Sequence, residues 1–115
     1  MKLHKYQDIS FYIGENAEDN WDLFDKSKFI NNEYIWFHLN SFSSPHVIMY
    51  STIQELQNTN YIEFINFGSR LCLDNSKYNY LKDCKIVYSP LKKLKKGEKV
   101  GEIIISGKKK LWKVS

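Results

Sequence analysis

The chain has 115 residues and a mass of 13.7 kDa, which is short for two domains but sufficient for one core. Apolar residues make up 43% of the chain and aromatic residues 16%, which excludes a disordered polypeptide. The apolar runs are far shorter than the ~20 residues of a membrane-spanning helix, two cysteines are too few for a disulfide framework, and no signal peptide is visible. We expect a single domain, residues 1–115, that is cytoplasmic, with the nucleus as an alternative.

The charge of the chain is unevenly distributed. Residues 1–76 hold five basic and ten acidic groups, whereas residues 77–115 hold twelve lysines and three acidic groups. Such a basic segment is typical of proteins that bind a polyanion, most often nucleic acid. A solvated lysine-rich surface, of the kind that an AT-rich genome produces, is the alternative. The candidate phosphate contacts are Lys92, Lys93, Lys95, Lys96, Lys99, Lys108, Lys109 and Lys110.

In chain order, the first predicted elements are a strand and a helix. Residues 9–13 form a β-type run that ends at Gly14. Asn16 then has the character of a helix N-cap, with Asp19 three residues later. The apolar residues that recur at helical spacing are Ala17, Trp21 and Phe24. This pattern predicts a short helix with one buried face, followed by a turn at residues 31–32.

Residues 34–50 predict a β-hairpin whose strands, 34–40 and 46–50, flank a loop at residues 41–45. This register puts Asn40 opposite His46. Because successive side chains of a strand point to opposite faces, one face is uniformly apolar and the other is mixed. The apolar face comprises Ile35, Phe37, Leu39, Val47 and Met49. The mixed face comprises Trp36, His38, Asn40, His46, Ile48 and Tyr50.

The second half of the chain predicts a helix over residues 61–72, where Gly68 interrupts an apolar stripe, and a separate turn at residues 53–56. The strands predicted after it are 85–88, stopped by Pro90, and then 100–105 and 111–114, paired as a hairpin across residues 106–108. These elements predict an α+β fold with a mainly antiparallel sheet of five or six strands and two helices.

Two short segments of the hairpin carry a family resemblance. The sequence YIWFHL at residues 34–39 is followed by SSPHV at residues 43–47. This spacing resembles the signature of the NFACT-R RNA-binding domain, in which Ile-Trp-Phe-His precedes a Ser-His-Val group. The weaker matches are GENAEDN at 14–20, VYSP at 87–90 and the glycines and lysines of 95–101. Tyr34 and Glu15 stand where the family has an aspartate and a basic residue. The resemblance extends from about residue 11 to residue 114.

The resemblance implies a stand-alone copy of a domain otherwise found in ribosome quality-control factors, which engage tRNA and stalled large ribosomal subunits. The same domain also begins a group of eukaryotic coiled-coil proteins that bind nucleic acid, including DNA. RNA, as tRNA or in the ribosome, is therefore the partner that the resemblance favours, and DNA is the alternative.

The residues themselves suggest how a nucleic acid would be held. Unpaired bases stack on aromatic rings while lysines follow the phosphates, so Trp36, His38 and His46 are candidate contacts beside the lysines. A tryptophan in a strand is also a common core residue. For the two histidines, structural burial, contact with nucleic acid, and catalysis or metal binding all stay open.

An enzyme is the rival class of function. His38, His46, Cys72 and Cys84 lack the close spacing of zinc ligands, and no Gly-rich phosphate loop is present. We therefore expect no catalytic residues, no metal and no cofactor. The sequence predicts a non-catalytic nucleic-acid-binding domain. The alternatives are a protein-docking module of a translation or quality-control complex, a DNA-binding domain, or a hydrolase with a Cys–His pair.

Overall fold

The computed structural model describes residues 1–114, and Ser115, the last residue of the predicted domain, lies outside them. Within these residues the strands are β1 (Lys2–Tyr6), β2 (Ile9–Ile13), β3 (Ile35–Leu39), β4 (Val47–Met49), β5 (Cys84–Pro90), β6 (Leu94–Lys96), β7 (Ile103–Ile105) and β8 (Lys110–Val114). The helices are α1 (Ala17–Ile30), α2 (Ile53–Leu56) and α3 (Tyr61–Asp74), with a 3₁₀ turn at Leu91–Lys93.

Six strands form one antiparallel sheet in the order β1-β2-β4-β3-β5-β8, and β6 pairs with β7 in a separate small sheet. This arrangement confirms the predicted α+β fold with a mainly antiparallel sheet. The predicted turn at residues 53–56 is the one-turn helix α2. None of the helices within residues 1–114 has the length and apolarity to cross a bilayer.

The two faces of the six-stranded sheet are covered differently. On one face, α3 packs against the apolar side chains of the central strands and of β8. On the other face, α1, the 3₁₀ turn and the small sheet together cover a second apolar cluster. The residues of this second cluster are Leu23, Phe24, Trp36, Ile48, Val87, Leu91 and Leu94. The predicted division of the hairpin residues between the two faces is confirmed, because Phe37 and Val47 belong to the first cluster and Trp36 and Ile48 to the second.

Local interactions explain where the two long helices lie. The Asn16 side chain accepts a hydrogen bond of 2.9 Å from the Asp19 backbone N–H, which confirms the predicted N-cap of α1. Helix α3 continues through Gly68 and ends two residues later than predicted. A Cβ at Gly68 would lie 2.5 Å from the Phe37 ring, so this glycine allows α3 to approach the sheet closely.

The predicted register of the β3–β4 hairpin is wrong by two residues. Phe37 pairs with Val47, whereas the prediction paired Asn40 with His46. Asn40 and His46 do not pair because their backbones bond to other segments. The His46 carbonyl accepts a hydrogen bond of 2.9 Å from the Gly14 N–H, and the Asn40 N–H donates one of 2.9 Å to the Lys85 carbonyl. Because the shift is an even number of residues, every side chain stays on its predicted face.

The predicted hairpin of residues 100–105 and 111–114 is also wrong. β7 pairs with β6, and β8 pairs with β5. The cause is that the two segments bury their apolar side chains on opposite faces of the sheet: Ile103 and Ile105 pack in the second cluster, whereas Trp112 and Val114 pack in the first. Two strands joined by a tight turn could not reach both clusters.

Strand β1 was missing from the sequence prediction. It joins β2 through a two-residue turn, Gln7-Asp8, in which both residues have positive φ angles of 46° and 70°. Such turns usually contain glycine, so the turn signal is hidden here. Lys2 and Lys5 lie on this strand, and charged residues of this kind are typical of an exposed sheet edge.

Candidate nucleic-acid interface

The incompletely covered face of the sheet contains a cleft of about 870 Å³. It lies between the segment that begins α1, the loop at residues 40–45 and the segment that leads into β7. It is also lined by Trp36 and His38 of β3 and by His46, which directly precedes β4. The volume is within the range of pockets that hold small molecules or single nucleotides. The structure thus brings together the three hairpin residues that the sequence analysis selected.

These three side chains form one ring cluster. The His38 ring stacks on Trp36 with centroids 5.5 Å apart and an interplanar angle of 10°. His46 meets both rings edge-on, at 5.4 Å from Trp36 and 5.1 Å from His38. Trp36 and His46 are each only 3% exposed, whereas His38 is half-buried. Trp36 therefore contributes packing and offers no open face on which a base could stack.

Each ring of the cluster also has a hydrogen bond that fixes its orientation. The Trp36 indole N–H donates to His46 Nδ1 at 3.1 Å, and the His46 backbone N–H donates to Asn20 Oδ1 at 3.2 Å. His38 Nδ1 lies 2.7 Å from the Leu39 carbonyl oxygen. Burial, together with the neighbouring His38, lowers the pKa of His46 to about 3. Burial also lowers the pKa of His38, and this effect outweighs the hydrogen bond with the Leu39 carbonyl, which raises it. Both rings are therefore neutral at physiological pH.

Three lysines line the cleft. Lys77 follows α3, Lys99 precedes β7, and Lys109 precedes β8, so they come from three separate segments of the chain. All three side chains are exposed, and none of the ion pairs formed within residues 1–114 involves them. Two of these lysines were predicted contacts, whereas Lys77 was missed because it stands alone in the sequence.

Two carboxylates also line the cleft, but both are engaged locally. Glu15 pairs with the amino terminus at 3.0 Å. Glu102 accepts a hydrogen bond of 3.0 Å from the Glu98 backbone N–H. The charge of Glu15 is therefore offset within the chain, one oxygen of Glu102 is already bonded, and the three lysines outnumber the two carboxylates.

The other predicted lysines are exposed but do not line the cleft. Lys92 forms an ion pair with Glu33, and Lys96 forms one of 2.8 Å with Asp25 while its ammonium also lies 5.1 Å from the Trp21 ring centroid. Both of these lysines are thus partly neutralised by residues of α1 or of the turn after it. The remaining lysines among the predicted contacts, Lys93, Lys95, Lys108 and Lys110, are also exposed. They extend the basic surface beyond the cleft.

The sequence analysis missed an aromatic pair at the edge of the cleft. Phe42, in the loop at residues 40–45, is 40% exposed and lies 4.6 Å from the half-buried Tyr78 ring. Both residues line the cleft. The signal that could have identified Phe42 is its position as a lone aromatic residue in a serine-rich loop, where no core is close in sequence.

The cysteines do not resemble a catalytic pair with histidine. Cys72 is fully buried and its thiol donates to the Pro45 carbonyl at 3.3 Å. Burial raises the pKa of Cys72 to about 12 and also raises the pKa of Cys84, so both are protonated thiols at neutral pH. Residues 1–114 contain no group of three His, Cys, Asp or Glu side chains positioned to hold a metal ion.

No family model and no curated protein matches this sequence. Among solved structures, the chain is similar to the C-terminal part of the fibronectin/fibrinogen-binding protein from Streptococcus suis, with a TM-score of 0.79 and 21% sequence identity. The match covers 100% of this chain and 48% of that one, so this chain spans about half the length of its structural neighbour. At this identity the likeness shows the fold.

Proposed function

We propose that this chain is a non-catalytic nucleic-acid-binding domain and that its partner is RNA. The observation that carries the proposal is the meeting of Lys77, Lys99 and Lys109 at one cleft, beside the exposed ring of Phe42. Lysines that can contact phosphates and an aromatic ring that can stack on a base are the two components of single-strand binding. The lysines outside the cleft would add non-specific attraction.

The resemblance of residues 34–47 to the NFACT-R signature supports RNA over DNA as the partner. It also supports the finer proposal that the RNA is tRNA or ribosomal RNA and that the protein works in the cytoplasm, in ribosome quality control. A single-stranded or looped region of such an RNA suits the cleft best, because its bases are free to stack and its backbone can follow the lysines.

The proposal is tested by fluorescence anisotropy with three labelled probes: tRNA, pentauridylate, and a DNA strand of the same length as pentauridylate. Three phosphate contacts on a single strand predict a slope of about −2 for log affinity against log salt. The double variant Lys99→Glu/Lys109→Glu should weaken binding about tenfold or more. The matched control, Lys5→Glu/Lys26→Glu, changes net charge equally at exposed residues outside the cleft and should have a much smaller effect. Equal losses in the two variants, or no binding of any probe by the parent protein, would contradict the proposal. Tighter binding of the DNA strand would contradict the preference for RNA.

A second candidate function, protein docking, is supported by the C-terminal end of α1. Phe29 and Ile30 are 92% and 53% exposed there, which is unusual for adjacent apolar residues. The solved structure with the similar fold is itself named for binding fibronectin and fibrinogen. If a protein partner docks here through apolar contacts, its binding should withstand 0.5 M salt and be lost in Phe29→Ser/Ile30→Ser, while Lys99→Glu/Lys109→Glu retains it.

A further inference from the structure

The two histidines of the cleft present opposite hydrogen-bonding groups to a ligand. The Trp36 indole N–H can only donate, so His46 Nδ1, 3.1 Å away, must be the acceptor. The neutral His46 ring therefore carries its proton on Nε2. The Leu39 carbonyl can only accept, so His38 Nδ1, 2.7 Å away, carries the proton of that ring. His38 Nε2 is thus a bare acceptor, and His46 Nε2–H is a donor.

Both Nε2 atoms are available to the cleft. Neither has a hydrogen-bond partner among the residues that the structure describes. Among the buried side-chain nitrogens and oxygens of residues 1–114, Ser69 Oγ is the one that is sealed from solvent and has no hydrogen-bond partner. His46 Nε2 also has no partner, so it must keep some contact with solvent, although the residue as a whole is 97% buried. A donor that reaches the cleft and has no protein partner is free to bond a ligand in place of solvent.

We infer that His38 and His46 read the Watson–Crick edge of one unpaired nucleobase, with His38 Nε2 accepting from the base and His46 Nε2–H donating to it. This inference rests on the proposed function and adds the ligand group that enters the cleft. Every nucleobase has a donor beside an acceptor on this edge, and base pairing occupies both. The pair of imidazoles therefore selects single-stranded or looped RNA over a duplex, without choosing strongly among the four bases.

The surroundings of the two rings suit a base in this position. Their centroids are 5.1 Å apart, which is compatible with contacts to neighbouring atoms of one base edge. Phe42 at the edge of the cleft supplies an aromatic face, supported from behind by Tyr78. Lys99 and Lys109 line the same cleft, so phosphates of the strand that carries the base can meet an ammonium group there.

The inference is tested with three labelled pentamers that carry the same phosphates: pentauridylate, fully N3-methylated pentauridylate and an abasic pentamer. N3-methylation removes the base N–H that would donate to His38 Nε2, and it leaves the stacking face and the backbone intact. Pentauridylate should bind about tenfold more tightly than the methylated pentamer. His38→Phe, which keeps an aromatic ring to stack on Trp36, should abolish this difference. Because the comparison of ligands needs no variant, a variant that fails to fold does not prevent the test.

The outcomes distinguish this inference from the proposed function. If all three pentamers bind with equal affinity and with the predicted salt dependence, the proposed function stands and the base-reading inference is wrong. If none binds, both fail. Free uridine monophosphate is the control for a mononucleotide ligand, and its binding as tightly as pentauridylate would overturn the assignment to an RNA strand.

Discussion

The two faces of the six-stranded sheet contrast in how completely they are covered. Helix α3 seals the first face with a continuous apolar cluster that includes Phe11, Phe37 and Ile65, each fully buried. On the second face, α1 and the small sheet leave the cleft between them, and the polar rings of His38 and His46 line it. The same central strands supply both faces, since their side chains alternate.

This difference predicts that stability and ligand binding are separated within one sheet. The sealed face contains the apolar side chains whose burial stabilises the fold. The open face has fewer apolar residues, and the imidazoles there form defined hydrogen bonds that a purely apolar cluster would not need. We therefore expect substitutions on the first face to act on folding, and substitutions of exposed cleft residues such as Phe42 and Lys99 to act on binding more than on folding.

The largest expected effect is on the sealed face. Phe37→Ala removes a fully buried ring that lies between the sheet and Gly68 of α3, and we expect it to lower the free energy of unfolding by about 3–5 kcal/mol. Urea denaturation measures this loss. The control is Ile104→Ala, on the exposed side of the small sheet at 42% exposure, which should cost less than about 0.5 kcal/mol. Similar costs for the two variants would remove the contrast between the regions.

The second prediction concerns the dependence of stability on pH. The pKa of His46 is about 3 in the folded protein, whereas in the unfolded chain it takes the ordinary value of 6.5. Between these two pH values the unfolded chain therefore binds more protons than the folded protein. Stability is therefore complete above about pH 6.5 and falls as the pH is lowered. From pH 7.5 to pH 5 the loss from His46 alone should be about 2 kcal/mol, and His38 adds to it in the same direction.

Urea denaturation at the two pH values tests this loss. A proton NMR titration provides a second measurement, in which the His46 ring signal should stay constant between pH 8 and pH 5. His46→Gln should flatten the dependence on pH, even though it lowers stability at every pH. Equal stability of the parent protein at pH 7.5 and pH 5 would show that the open face does not hold His46 as a buried neutral ring.

The third prediction compares two tryptophans that both donate through the indole N–H. Trp36→Phe leaves His46 Nδ1 buried without its donor, and we expect a cost of about 1–3 kcal/mol. Trp112→Phe, the matched control, removes a more exposed bond of 2.9 Å to Asn66 and should cost about 0.5 kcal/mol. Thermal unfolding of the two variants measures the difference. A cost for Trp36→Phe no larger than that for Trp112→Phe would mean that the indole does not hold the imidazole in place.

Predictions from the sequence succeeded where a local pattern was sufficient. The cap at Asn16, the apolar stripe of α3 and the alternation within β3 each involve neighbours only a few residues apart, and the structure confirms all three. Within the candidate site, this alternation placed His38 and His46 on one face only together with the assumed register of the hairpin, whose error of two residues preserves the face. Lys77 and Phe42 carry no such pattern, so their membership of the cleft could not be deduced from their neighbours in sequence.

What the sequence by itself determined is therefore the type of most elements and the face on which each side chain lies. Strand partners and the cleft were decided by the tertiary structure. β7 and β8 are separated by four residues, but each pairs with another strand because their apolar side chains belong to different clusters. The hydrogen-bonding state of His46 likewise depends on Trp36, ten residues away, and on burial by α1. Local periodicity specifies a face, whereas the choice among alternative partners depends on which arrangement buries both apolar clusters at once.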